Sequence, residues 1–367
     1  MEKCKELIRR VTVAWYCHSY KERQDSLSVN KNSSLYTTML FCLLFISTNF
    51  VNKYVLSVLK FTYPTIFQGW QTFVGAVVLK MLIVLGYVGP LLKGIDRYSV
   101  APWMPGMMLF LVSIYAGSRA LANLPIPVYF CMQNTVLLFK VVIQIFGNKK
   151  LLSICSYMML MVTAMSSVAI SITDPQFSAD GYFWMAINIL SRGFFHVYSH
   201  LIRNRLESLD RLYCCYIYSL LMLAPCSYLL GDALEAVNYP YLYFTKFYLG
   251  CIFSGVLGIF LNLTAIQLQK SDSLPGGLDF SGVQAISRIL GSIISFFIFP
   301  TTLTANFAFL LAVNQLCSVV VSDAIVWHPL PTVIPSSISS KSSASLPDME
   351  QLEQNKFQKD MLRVELE

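Results

Sequence analysis

The chain has 367 residues, of which 55% are hydrophobic and only 13% charged, and its mean hydropathy is +0.57. Those values exclude a soluble domain of this size and define a polytopic membrane protein. The net charge of +7 is no nucleic-acid signal, because the basic residues are spread over tails and loops, where membrane orientation accounts for them.

Residues 1–36 form a basic tail with Lys3, Lys5, Arg9, Arg10, Lys21, Arg23 and Lys31. Leu7, Ile8, Val11 and Trp15 are spaced for a short interfacial helix, a solvated tail being the alternative. The tail is polar rather than a signal peptide, so the first span is expected to serve as the targeting signal. Apolar runs then predict ten spans, at 37–57, 65–87, 101–121, 126–146, 151–172, 182–201, 212–230, 247–268, 281–300 and 305–327, each near the ~20 residues that a bilayer core requires. Residues 328–367 carry Pro329, Pro331, Pro335 and a serine-rich run, followed by helically spaced Met349, Leu352, Phe357, Met361 and Leu362. They read as a linker and a short cytosolic helix.

The loop charges orient the spans. One set of loops holds Lys93, Arg97, Lys149, Lys150, Arg203, Arg205, Arg211 and Lys270, whereas the opposite set holds Lys60 and Lys246 with Asp174, Asp180, Asp232 and Glu235. The positive-inside rule therefore predicts both termini in the cytosol, which requires an even number of spans. Ten spans divide into 37–172 and 173–327. An odd number in each half makes the halves run in opposite directions, an arrangement that secondary transporters use to bind substrate at the midplane. The fold class expected is all-α, with two inverted five-helix repeats.

Polar residues interrupt these spans on single faces. In span four, Tyr129, Gln133 and Lys140 lie at i, i+4 and i+11, on one side of a continuous helix, with about 10 Å of rise between Gln133 and Lys140. Lys140 either snorkels toward Lys149 and Lys150 or meets water, a partner or an anionic substrate. Asn52 and Lys53 end span one, Gln68 and Gln71 lie in span two, and Ser113, Tyr115, Ser118 and Arg119 end span three. Asn188, Arg192 and His196 share a face of span six, and Gln284, Ser287 and Arg288 a face of span nine. Gly75, Gly117, Gly258, Gly291 and Ser295 are assigned to helix packing.

The charges are harder to place in packing. Lys140, Arg192 and Arg288 lie in spans without an acid, and Asp323 is the acidic residue near them. Buried cations without counter-charges imply a watery cavity or an anionic ligand, such as a phosphorylated solute. His196 and His200 have the i, i+4 spacing of a metal pair, but no third ligand is apparent, so packing or interface roles are expected. The ten cysteines include no C-x-x-C pair and indicate neither disulfides nor zinc. No metal, no cofactor and no enzymatic acid–base constellation is expected.

Several motifs carry a resemblance. Asn52-Lys53-Tyr54-Val55-Leu56 is similar to the "NK.vL" signature of nucleotide-sugar transporters. Ala116-Gly117-Ser118-Arg119-Ala120-Leu121 with Ile126-Pro127-Val128-Tyr129 resembles the GDP-mannose and UDP-N-acetylglucosamine branch of that family, and 52–72 resembles an animal Golgi member assigned to UDP-N-acetylglucosamine. The resemblance implies a ten-helix bundle of the drug/metabolite transporter superfamily. It also implies exchange of a cytosolic nucleotide sugar, most closely UDP-N-acetylglucosamine, for lumenal UMP. The Golgi membrane is the location implied, the endoplasmic reticulum being the alternative.

The resemblance further implies that Tyr129 and Gln133 line the cavity, that Arg288 stands where the family has a lysine facing phosphates, and that Ser287 replaces an asparagine. Gln284 belongs to the same motif, and Tyr115 and Tyr129 offer rings to base or sugar; from its place on the same stripe, not from the resemblance, Lys140 is expected to supply the charge that Gln133 lacks. Asn52, Lys53, Gln71, Asn188 and Arg192 are the cavity or gate candidates. Cys215-Tyr216 stand where the GDP-mannose branch has paired asparagines, which favours uracil. Leu274-Pro275-Gly276-Gly277 changes the entry to span nine, and Asn314 and Gln315 replace glycines of span ten. Carriage of GDP-mannose or another organic phosphate, and a transport-inactive scaffold, remain the alternatives. The partners expected are lipid, nucleotide sugar and nucleoside monophosphate, with a homodimer open as an assembly and no nucleic acid.

Overall fold

The computed structural model describes residues 34–85, 97–146, 150–202, 206–271, 279–323 and 327–329. The N-terminal tail up to Ser33 and the C-terminal stretch after Pro329, with the helices anticipated there, lie outside the described residues, as do Lys93, Lys149, Arg203, Arg205 and the Leu274–Gly277 insertion.

Long apolar runs make long helices because a helix is one of the few ways to satisfy every backbone group away from water. α1 (Ser34–Val58) ends in a π turn over Tyr54–Val58. α2 is Pro64–Val84. A short α3 (Arg97–Val100) and a 3-10 turn, Ala101–Trp103, lead into α4 (Met104–Asn123). α5 (Ile126–Asn134) and α6 (Leu137–Phe146) follow, then α7 (Ile154–Thr173), α8 (Ala179–Leu201) and α9 (Ser208–Leu229). A short α10 (Asp232–Ala236) precedes α11 (Thr245–Gln269), α12 (Phe280–Ile298) and α13 (Ala305–Asp323).

Among the described residues, nine helices are long and apolar enough to cross a membrane, with α5 and the start of α6 counted together. The 23-residue α8 is as long as these but falls outside that group, because Asp180, Asn188, Arg192, His196 and His200 dilute its apolar content. Its start is well specified. Ser178 accepts from the Gly181 N–H at 3.2 Å, and Asp180 sits in the first turn, where it complements the helix dipole. Prolines mark other starts: Pro64 opens α2 and Pro127 lies in the first turn of α5, where a missing N–H costs nothing.

α4 packs along α8, α7 along α13, and α2 between α9 and α11, while α12 contacts both α5 and α13. The central apolar cluster joins Phe41 and Phe45 of α1, Leu121 of α4, Phe130 of α5 and Phe307 of α13. Close approach is bought with glycine. A Cβ on Gly75 would lie 2.8 Å from the Tyr216 ring, and one on Gly291 would lie 2.7 Å from Phe130. Gly117 is equally tight against Asn188, and Ser295 is fully buried. Gly258 differs from its expected packing role, since a Cβ there would meet nothing within 4 Å.

Two further departures concern span ends. The expected starts of span five and end of span ten are extended rather than helical. β1 (Lys150–Leu152) and β2 (Trp327–Pro329) pair antiparallel, with Leu151 opposite His328. Span four is also not one helix.

Candidate functional site: a cationic hollow beside a broken helix

The break falls between Asn134 and Leu137, where there is neither glycine nor proline. The N–H groups of Thr135, Val136, Leu138 and Phe139 bond to carbonyls three residues back, of Met132, Gln133, Thr135 and Val136, each at 3.1 Å. This is 3-10 geometry, which turns further per residue than an α-helix and rotates Lys140 by roughly 80° from its straight-helix position. Tightening also releases the Cys131 carbonyl, which lies 3.5 Å from Ser167 Oγ, a hydroxyl whose shorter bond is to the Thr163 carbonyl at 2.9 Å. Irregular backbone at this depth is tolerated only where it is buried in protein or lines a cavity.

Beside the break lies a hollow of about 420 Å³, its open mouth included, between α5–α6, α8 and α12. Gln133, Lys140, Arg192, His196, Gln284 and Arg288 line it with Ser281 and the apolar Val136 and Leu137. Arg192 and His196 are exposed, Lys140 and Gln284 half-buried, and Gln133 and Arg288 buried. Lys140 Nζ donates to Ser281 Oγ at 2.6 Å. Arg288 Nη1 donates to Asn134 Oδ1 at 2.9 Å, while Nε is buried without a partner among the described residues. Among the described residues, no carboxylate lines the hollow. Asp279, just before α12, is within electrostatic reach of Lys140, so an acid does stand near these cations, from outside the predicted span. Three cations and several neutral donors around one hollow suit an oligo-anion such as a diphosphate, for which they replace water.

No protein-family model matches the chain. It is 37% identical over 270 residues to the UDP-N-acetylglucosamine transporter TMEM241 homolog of Xenopus laevis, covering 72% of this chain and 88% of that protein. Against UDP-N-acetylglucosamine transporter TMEM241 of Mus musculus the identity is 41% over 237 residues, 63% of this chain and 77% of that one. A GDP-mannose transporter of Chaetomium globosum is 24% identical over 343 residues, 85% of each chain. The chain belongs to the TMEM241 transporter family. These relatives are transporters by name and not enzymes.

In this TMEM241-family chain, Gln133, Lys140, Gln284, Arg288 and Arg192 are brought together at the hollow. Tyr129 is buried one turn beyond Gln133, within electrostatic reach of Arg192 and Arg288. Other candidates are engaged elsewhere. Tyr115 packs edge-on against Trp184, with ring centroids 5.3 Å apart. Ser287 is fully buried and donates to the Val283 carbonyl at 2.8 Å. Asn188 Nδ2 donates to the Ser113 carbonyl at 2.7 Å, tying α8 to α4. Gln71 Nε2 donates to Asn52 Oδ1 at 3.0 Å and to Ser254 Oγ. Lys53 Nζ donates to the carbonyls of Leu121, Ala122 and Leu124 at 2.8, 3.2 and 2.9 Å, and so caps the end of α4.

Three contributors were not singled out as site residues from the sequence: Ser281, His196 and Asn134. The sequence offers His196 on a polar face of span six and as half of a metal pair, and Asn134 adjoins the motif residue Gln133. Their signal was position on a polar face, which many packing residues share.

Proposed function

We propose that this protein exchanges cytosolic UDP-N-acetylglucosamine for lumenal UMP across the Golgi membrane, with both termini in the cytosol. The observation that carries the reading is the hollow walled by Lys140, Arg192 and Arg288, with no lining carboxylate among the described residues. A diphosphate cannot cross hydrocarbon, so a carrier must present fixed cations and donors in place of water. UMP shares the phosphate and the uracil, so the same cations load the return step. The relatives named for UDP-N-acetylglucosamine are 37% and 41% identical, against 24% for a GDP-mannose transporter, which favours the uracil nucleotide.

The architecture proposed is ten crossings in two inverted repeats, residues 37–172 and 173–327, rocking about the hollow. α5–α6 is then the fourth crossing and α8 the sixth. The contacts α2 with α9, α5 with α12 and α7 with α13 become second with seventh, fourth with ninth, and fifth with tenth. Each maps onto itself when the halves are exchanged. α4 with α8, third with sixth, has its counterpart in α11 with the end of α1, eighth with first.

The test is uptake of labelled UDP-N-acetylglucosamine into proteoliposomes loaded with UMP. The parent protein takes up label only when UMP is inside, and Arg288→Ala abolishes uptake while the protein still folds. Undiminished uptake by that variant removes Arg288 from the site. Silence of the parent leaves the scaffold reading in its place.

A further inference from the structure

Asn314 stands where the resembling family has glycine, and it is completely buried. A buried amide is costly unless each of its polar atoms is paired. Here they are paired in a chain of fixed polarity. Arg288 is a donor only, so the Asn134 atom that meets Nη1 at 2.9 Å must be the amide oxygen. Asn134 Nδ2 is thereby the donor to Asn314 Oδ1, at 2.9 Å. Asn314 Nδ2 then faces the Thr163 carbonyl, an acceptor only, at 2.9 Å, with Ser166 Oγ and Ser167 Oγ at the same distance. The relay starts on a cation and ends on a backbone carbonyl, so neither amide can flip without losing bonds at both ends.

This relay holds one edge of the guanidinium. Nη1 is committed to Asn134, whereas Nε is sealed from water without a partner. An unpaired buried donor on a charged group is unfavourable until an acceptor arrives, and the Nε–Nη2 edge has the fork geometry that meets two oxygens of one phosphate.

We infer that Asn314, acting through Asn134, is a positioning residue that holds the Arg288 guanidinium with its Nε left unpaired until a substrate phosphate takes it. The inference rests on the reading of the hollow as a nucleotide-sugar site. Asn314 touches no substrate. It makes the first-half helices α5 and α7 part of the mount for a second-half cation.

The test measures binding of UDP-N-acetylglucosamine and of UMP to the purified full-length protein by ligand-dependent thermal shift, up to millimolar ligand. Folded Asn314→Leu is expected to bind both about ten-fold more weakly, and Arg288→Ala with Asn314→Leu no more weakly than Arg288→Ala alone. Binding within two-fold of the parent, or a loss that adds in full to that of Arg288→Ala, overturns the inference. Where Asn314→Leu does not fold, Asn134→Asp carries the test. Its shape is unchanged, but its carboxylate neutralises the guanidinium and is expected to weaken both ligands about ten-fold or more, and parent-like affinity overturns the relay. If Arg288→Ala itself binds both ligands like the parent, the site reading fails instead.

Discussion

Two lysines inside spans show how much depends on where an ammonium's three donors go. Lys53 has all three engaged by the carbonyls that end α4, where cations favour the helix terminus. Among the described residues Lys140 has one engaged, by Ser281, and it stands on the wall of the hollow. Opposite outcomes are expected from the same substitution. Lys53→Met orphans buried carbonyls and should cost about 2 kcal/mol or more, read as a lower thermal midpoint with ligand affinity retained by the folded fraction. Lys140→Met should leave the midpoint unchanged or raised, because an expensive charge is removed, while UMP and UDP-N-acetylglucosamine bind about ten-fold more weakly.

At the scale of elements, the site depends on how closely α8 approaches the broken helix. Gly193 makes that approach, and a Cβ there would fall 2.4 Å from the Phe139 ring, one residue from Lys140. Gly193→Ala must push α6 from α8. It should cost about 1–3 kcal/mol and lower exchange, because Lys140 and Arg192 move apart. Normal uptake at a normal thermal midpoint would show that α6 is not held this way. The break itself left no proline or glycine to be read. It is met from outside by Ser167, whose Oγ accepts from the Thr135 hydroxyl at 3.2 Å and lies 3.5 Å from the freed Cys131 carbonyl.

At the scale of the molecule, the end away from the hollow is tied shut. Thr65 Oγ1 donates to Asp232 Oδ2 at 2.5 Å, Asn123 Nδ2 to Asp180 Oδ2 at 2.9 Å, and Ser254 Oγ to Asn52 Oδ1 at 2.6 Å. Each links the two proposed halves, so an exchange cycle has to break them together. Asp232→Ala should loosen this end, seen as faster hydrogen exchange of the Thr65–Gln71 amides, and protection equal to the parent would count against a gate here. Tyr239, between α10 and α11, adds a bond to the Leu59 carbonyl at 2.5 Å. Burial pushes its phenol up to about 12, above the ordinary ~10, so the fold favours the protonated form. That contribution is complete below pH 10 and is lost as pH rises through 12. Tyr239→Phe should therefore lower stability by about 1 kcal/mol at neutral pH and flatten the alkaline part of the melting profile.

The membrane character, nearly every helix and the family were legible in the chain itself, because a bilayer acts as a local filter: about twenty apolar residues make a span whatever they later touch. The cations Lys140, Arg192 and Arg288 were legible for a related reason, since a charge in such a run is anomalous without any knowledge of its neighbours. Tertiary structure alone decided which polar residues meet. Nothing local separates Lys53, which caps a helix, from Lys140, which faces a hollow, or tells that a Cβ on Gly258 would meet open space while one on Gly193 would strike a ring. The relay beneath Arg288 depends on Asn314, 180 residues from Asn134, and the break in span four meets Ser167 of α7; hydrogen bonds across such distances exist only once the helices have packed.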